Sequence, residues 1–94
     1  ASLTQSYELG WHLIKNWKVP YSKPRNHAIN QGPFRVLQQD NIPSILVEVG
    51  FVSNDTEAKR LANPSYQKQL AVAIYKGIKD FKETLDKGQT KALK

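Results

Sequence analysis

The sequence predicts an α/β fold in which helices cover a short mixed or parallel sheet. Three stretches carry that prediction. Ile45, Leu46, Val47 and Val49 make a β-branched-rich run without polar alternation, as expected of a strand covered on both faces. Tyr66, Leu70, Ile74, Ile78, Phe81 and Leu85 recur at helical spacing and define the buried stripe of a long helix that packs on the sheet. Tyr7, Trp11, Leu13, Ile14 and Trp17 do the same for a helix over residues 2–17, which Pro20 stops.

Between the first helix and the first strand, Val19 to Pro33 holds Pro20, Pro24, Gly32 and Pro33 among polar residues, so a long loop is expected there. Phe34 to Leu37 reads as a short strand, Gln38–Asn41 as a turn, and the apolar run, bounded by Pro43 and Gly50, as the central strand. Asn54 followed by Glu57 is a capping-box spacing: the Asn side chain accepts from an amide of the first helical turn while the Glu reaches back. Ser53 and Asn54 are therefore structural, anchoring the turn after the strand. Ala58, Leu61 and Ala62 give the helix that follows a small apolar face. Asn63-Pro64 ends it and opens the next, with Pro64 suited to a first helical position. Residues 87–94 form a basic tail with little to bury.

Composition bounds the rest. Ninety-four residues make one small domain or a piece of a larger one, and 39% hydrophobic residues suffice for a thin core. Without cysteine there is neither a disulfide framework nor a thiolate zinc site. No apolar run approaches the ~20 residues that cross a bilayer, so no transmembrane segment is expected. The start at Ala1, with no methionine or export pattern, reads as a processed or excised product. A net charge of +6 favours anionic partners. The lysines are spread along helices and the tail and are not interleaved with stacking aromatics, which argues against nucleic acid.

One residue in the apolar run asks for chemistry. Glu48 stands at the end of the central strand, where a carboxylate must lose hydration unless a cation, a metal-bound water or a proton compensates. It is either one half of a buried ion pair with an Arg or Lys, or an acid/base at the carboxyl end of a strand, where open α/β sheets place ligands. His12, alone on its helix, reads as a packed or surface side chain and not as a metal ligand.

Phe34-Arg35-Val36-Leu37, a short polar gap and the block from Ile42 to Asn54 together resemble the C-terminal part of the zinc-dependent N-acetylmuramoyl-L-alanine amidases, bacterial cell-wall hydrolases. Glu57, Leu61, Asn63-Pro64-Ser65-Tyr66 and the amphipathic segment after them extend the resemblance over most of the chain, the first thirty or so residues being its least specific part. The resemblance implies a three-layer domain of the aminopeptidase/phosphorylase-like type, with residues 1–86 as its C-terminal portion and 87–94 as a disordered tail. It implies zinc held by two histidines and a glutamate, activating water, and it assigns Glu48 to the carboxylate that takes and returns the proton. Burial among Val47, Val49 and Phe51 is expected to favour the protonated form of such a group.

The family's Gly-His-Gly motif, ligand glutamate and Ser-x-His-x-Asn motif do not occur here, so the zinc ligands are expected upstream and the isolated chain is expected to be inactive. His12 and His27 do not match those contexts. Asn26 to Gln31 is longer than the family's usual linker and lacks its Arg-Gly pair. A contact from Arg25 to a substrate carboxylate therefore rests only on the fit of a guanidinium to that group. The implied partners are the stem peptide and muramic acid of peptidoglycan, and the implied location is periplasmic or secreted, at the bacterial cell wall. The alternative is a related module that binds cell-wall glycopeptide without cutting it. An incomplete sheet would also expose an edge and invite dimerisation or strand exchange.

Overall fold

The computed structural model describes residues 2–22, 33–38 and 41–88. The elements run α1 (Ser2–Lys15), β1 (Phe34–Val36), β2 (Ile45–Val47), α2 (Asp55–Leu61) and α3 (Pro64–Asp86). The expected helices and strands all form, in the expected order. Helix α1 ends slightly earlier than the periodicity suggested, where Trp17 N–H donates to the Ile14 carbonyl at 3.1 Å and tightens the last turn.

The core lies where α1 meets α3 and the hairpin. Leu13, Ile14, Trp17 and Val19 pack with Phe34, Tyr66, Leu70 and Ala73, and Phe34 is wholly buried. The Trp17 and Phe34 rings meet edge to face with centroids 4.9 Å apart. Two residues expected in the core are exposed. Trp11 is exposed, with the Lys15 ammonium 4.4 Å from its ring centroid, and Ile78 is exposed on α3. Both were assigned from spacing alone. The contact is so close that the buried line of α3 runs instead through Ala73, Gly77 and Phe81. A Cβ at Gly77 would stand 2.6 Å from Leu13 Cδ2 and 2.9 Å from Leu13 Cα, so the helices approach here as only glycine permits.

The same interface carries a polar tie. His12, nearly buried, has its Nδ1 2.8 Å from Asp80 Oδ2, and Lys15 Nζ and Asn16 Nδ2 reach the same oxygen at 3.1 and 3.3 Å. Burial by itself raises the Asp80 pKa, but the hydrogen bonds from His12, Lys15 and Asn16 outweigh it and leave the carboxyl below its ordinary value. His12 is thus a packed structural residue, as its sequence context suggests. Glu8, one turn earlier, is buried as well, and its Oε2 has no hydrogen-bond partner among the described residues.

The sheet departs from expectation. β1 and β2 are antiparallel, with Phe34 opposite Val47, Arg35 opposite Leu46 and Val36 opposite Ile45, and they form a two-stranded sheet. Parallel pairing of these two strands is excluded, because their connection is shorter than the dozen or so residues that a parallel crossover takes, while an antiparallel pair is also what a mixed sheet contains. The strand is not covered on both faces either. Ile45 and Val47 pack on the core, whereas Leu46 is exposed, as are Val49, Phe51 and Val52 after it. Ser44 N–H donates to the buried Ser6 Oγ at 2.7 Å and pins the start of β2 to α1.

Helices α2 and α3 begin at the capping residues expected. Asn54 Oδ1 accepts from Glu57 N–H at 3.0 Å, and Asn63 Oδ1 accepts from Ser65 and Tyr66 N–H at 2.8 and 3.3 Å, with Pro64 in the first turn. Glu57 reaches further back than a capping box requires: its Oε1 accepts from Phe51 N–H at 3.3 Å.

Two stability measurements test this interface. Gly77→Ala gains helix propensity of about 1 kcal/mol but forces Leu13 and its backbone away, so a net loss of about 1 kcal/mol is expected as a lower urea midpoint. Asp80→Asn is expected to cost about 1 kcal/mol at pH 5, discounted for the partial exposure of the carboxylate. Because the folded-state pKa of Asp80 is depressed, its contribution is complete above the ordinary value of 3.8 and is lost as pH falls through the folded pKa. The difference between wild type and variant in urea melts should therefore shrink below about pH 3.8.

Candidate functional site

The antiparallel register places Glu48. Its N–H donates to the Pro33 carbonyl at 2.8 Å, extending the ladder one step past β2, and side-chain alternation turns it to the face shared by Arg35 and Leu46, away from the core. There the Arg35 Nε lies 3.9 Å from Glu48 Oε1, with the two side chains 38% and 41% exposed. That separation is too long for a hydrogen bond, and a pair this exposed is worth about 1 kcal/mol or less. The carboxylate has no hydrogen bond among the described residues and is free to receive one from a ligand.

Glu48 is consequently not in the buried environment its sequence suggests. It is not half of a buried ion pair, and it is not enclosed by apolar side chains, since Val49 and Phe51 turn outward. The apolar run was read as two-sided burial; in the structure only one face of the hairpin meets helices.

What lies beside it is an open cleft of about 510 Å³, whose walls include Arg35, Glu48, Phe51, Arg60, Tyr21 and Tyr66. The floor is built by the turn after β2. Gly50 has φ +152°, and a Cβ there would approach Leu61 Cδ1 to 3.1 Å and Glu57 Oε1 to 3.3 Å. Asn54 N–H donates to the Phe51 carbonyl at 3.1 Å, closing the turn, while Glu57 holds the Phe51 amide. The chain after Glu48 is thereby fixed from both ends. The expectation that Ser53-Asn54 steadies the carboxylate's surroundings is met through Asn54 and Glu57.

Sequence reasoning missed two residues of this cleft. Arg60, in the last turn of α2, has its guanidinium 4.3 Å from the Tyr21 ring centroid and 6.0 Å from that of Tyr66. Tyr21 holds a positive φ of 65°, uncommon for an aromatic residue. No signal in the sequence joins positions so far apart. Arg25 and His27 lie outside the described residues.

The described residues contain no group of three or more His, Cys, Asp or Glu able to hold a metal ion, and His12 bonds Asp80 through Nδ1. The zinc implied by the resemblance does not fit the residues described here. No helix among the described residues is long and apolar enough to cross a membrane.

Comparison with known proteins gives the geometry its context. A family model described as N-acetylmuramoyl-L-alanine amidase matches residues 1–80. The chain is 35% identical over 77 residues to N-acetylmuramoyl-L-alanine amidase AmiA of Salmonella typhimurium, covering 82% of this chain and 26% of that protein. It is 32% identical over 77 residues to AmiA of Escherichia coli, with the same coverage of 82% and 26%. A putative N-acetylmuramoyl-L-alanine amidase of Buchnera aphidicola is 37% identical over 79 residues, 84% of this chain and 31% of that protein. The chain thus spans about a quarter of the length of the AmiA proteins it matches, at 26%. No solved structure matches it significantly. With its matched region running from α1 through most of α3, the chain belongs to the N-acetylmuramoyl-L-alanine amidase family.

Proposed function

We propose that residues 1–86 are the C-terminal part of a peptidoglycan amidase catalytic domain, which hydrolyses the amide between N-acetylmuramic acid and L-alanine, and that Glu48 is its acid/base. The observation that carries this reading is a carboxylate without a hydrogen bond among the described residues, at the edge of an open cleft, in a chain of the amidase family. With the scissile amide in the cleft, Glu48 accepts a proton from the attacking water and returns it to the departing amine of alanine. Exposure to a water-filled cleft suits the first half of that task. The loose contact with Arg35 leaves the carboxylate able to rotate towards a substrate.

The same reading accounts for the bare face of the hairpin. Leu46, Val49, Phe51 and Val52 are exposed where a three-layer domain would carry further elements. We assign those elements, and the zinc ligands, to the portion of the relatives' length that this chain does not span. The basic tail, residues 87–94, lies outside that domain. In the isolated chain, hydrolysis is absent and the uncovered face and sheet edge favour dimerisation or strand exchange. The substrate places the protein at the bacterial cell wall, periplasmic or secreted.

A second reading, a module that binds cell-wall glycopeptide without cutting it, is favoured by the Arg35–Glu48 contact and by the want of a metal-binding group among the described residues. Glu48→Gln in the protein that supplies the complete catalytic domain separates the two. The expected result is a fall in turnover of about 10²- to 10⁴-fold with peptidoglycan binding retained. Unchanged release of alanine-terminated peptide would remove Glu48 from the chemistry. A wild-type protein that binds peptidoglycan but releases no peptide would favour the second reading.

A further inference from the structure

We infer that Arg60, stacked on Tyr21, forms a carboxylate-binding subsite in the Glu48 cleft and takes a free carboxylate of an acidic peptide. The inference rests on the reading of that cleft as a substrate site and adds to it the group that orients the peptide half of the substrate.

Charge accounting within the cleft comes first. Of its acidic groups, Glu48 faces Arg35 at 3.9 Å, and one oxygen of Glu57 is occupied by the Phe51 amide at 3.3 Å. Arg60 forms no ion pair among the described residues; its side-chain neighbours are the rings of Tyr21 and Tyr66. The cleft's formal charges balance, Arg35 and Arg60 against Glu48 and Glu57, but Arg60 has no ion pair among the described residues, so its guanidinium N–H groups are open to a monoanion.

Geometry comes second. A guanidinium stacked on an aromatic ring uses its face and keeps its in-plane N–H groups for hydrogen bonding, and that fork matches the two oxygens of a carboxylate. The ring is placed by a turn. Tyr21 is 78% exposed and sits at φ 65° after Pro20, in a turn that Ser22 N–H closes on the Val19 carbonyl at 3.4 Å, and this leaves the ring against Arg60.

The acidic surroundings choose the ligand class. Glu48 and Glu57 line the same cleft, so a dianionic phosphate meets more repulsion than a carboxylate, which Arg60 neutralises one for one. A peptide that departs with alanine at its amino end carries such a carboxylate at its other end or in an acidic side chain.

Binding to the 94-residue chain tests this without relying on turnover. The probes are the dipeptide Ala-Glu, its diamide and inorganic phosphate, followed by NMR shifts of the Arg60 and Tyr21 amides. Ala-Glu is expected to bind at least about tenfold more tightly than the diamide, the equivalent of one charge-assisted hydrogen bond. Arg60→Ala should abolish the preference for the free acid, while Arg60→Lys, which keeps charge but not the fork, and Tyr21→Leu should each reduce it. Thermal melts establish that each variant folds; if Arg60→Ala does not, Arg60→Lys and Tyr21→Leu decide. Equal binding of acid and diamide, an unchanged preference in the variants that fold, or phosphate competing as well as Ala-Glu would overturn the subsite. Because cleavage enters none of these readouts, a complete protein that fails to hydrolyse peptidoglycan would defeat the amidase reading while Arg60-dependent binding stood, and the converse result would defeat only the subsite.

Discussion

The contact of Gly77 with Leu13 sets the position of everything else. With no side chain at Gly77, α3 closes on α1 until the Leu13 backbone is in contact range, and that approach brings Asp80 onto His12 and Phe81 beside its ring. Helix α1 is then a fixed wall. Its Ser6 hydroxyl receives the Ser44 amide, the hairpin lies against the aromatic pair of Trp17 and Phe34, and the register that follows sends Glu48 to the far face. The candidate site is thus positioned by apolar packing at a distance, while its own residues contribute little to stability.

That division has a chemical consequence. Groups in the helix interface are held by partners: His12 Nδ1, Lys15 Nζ and Asn16 Nδ2 all meet Asp80 Oδ2. Groups on the outer face are the reverse: Glu48 has only a loose ionic neighbour, and Arg60 has only rings. A site that must exchange protons or bind an anion needs such incompletely satisfied groups. The turn from Gly50 to Asn54 supplies the rigidity they lack, since Glu57 and Asn54 fix its backbone without touching the Glu48 carboxylate.

Much of the fold was legible in the sequence because it follows from local rules. The stripe of α3, the cap at Asn54, Pro64 in the first turn of α3 and the two strands all depend on residues close to one another in the chain. The failures were of range. Trp11 and Ile78 have the right period but the wrong face, because how near two helices come is set by a glycine on one and a leucine on the other. The apolar strand was read as doubly covered because its composition records what it is suited to meet, and the described part of this chain supplies only one layer. Glu48 stands out in the sequence as an acid in an apolar run, while its exposed environment follows only from the hairpin register. Arg60 and Tyr21 were invisible, since a helix-end arginine and a loop tyrosine acquire meaning only when the fold brings them together.

The exposed face of the hairpin is itself informative. Had β2 evolved to face water on that side, alternation would have placed polar residues at Leu46 and around Phe51 and Val52; they are apolar and exposed instead. The sequence therefore encodes a buried environment on a surface where no described residue provides it. Glu48 and Arg35 stand on that same face, so whatever covers it also narrows the cleft and strips water from the carboxylate. On the proposed reading the apolar strand and its terminal acid belong together, because a layer over Leu46 would also lie beside the Glu48 cleft.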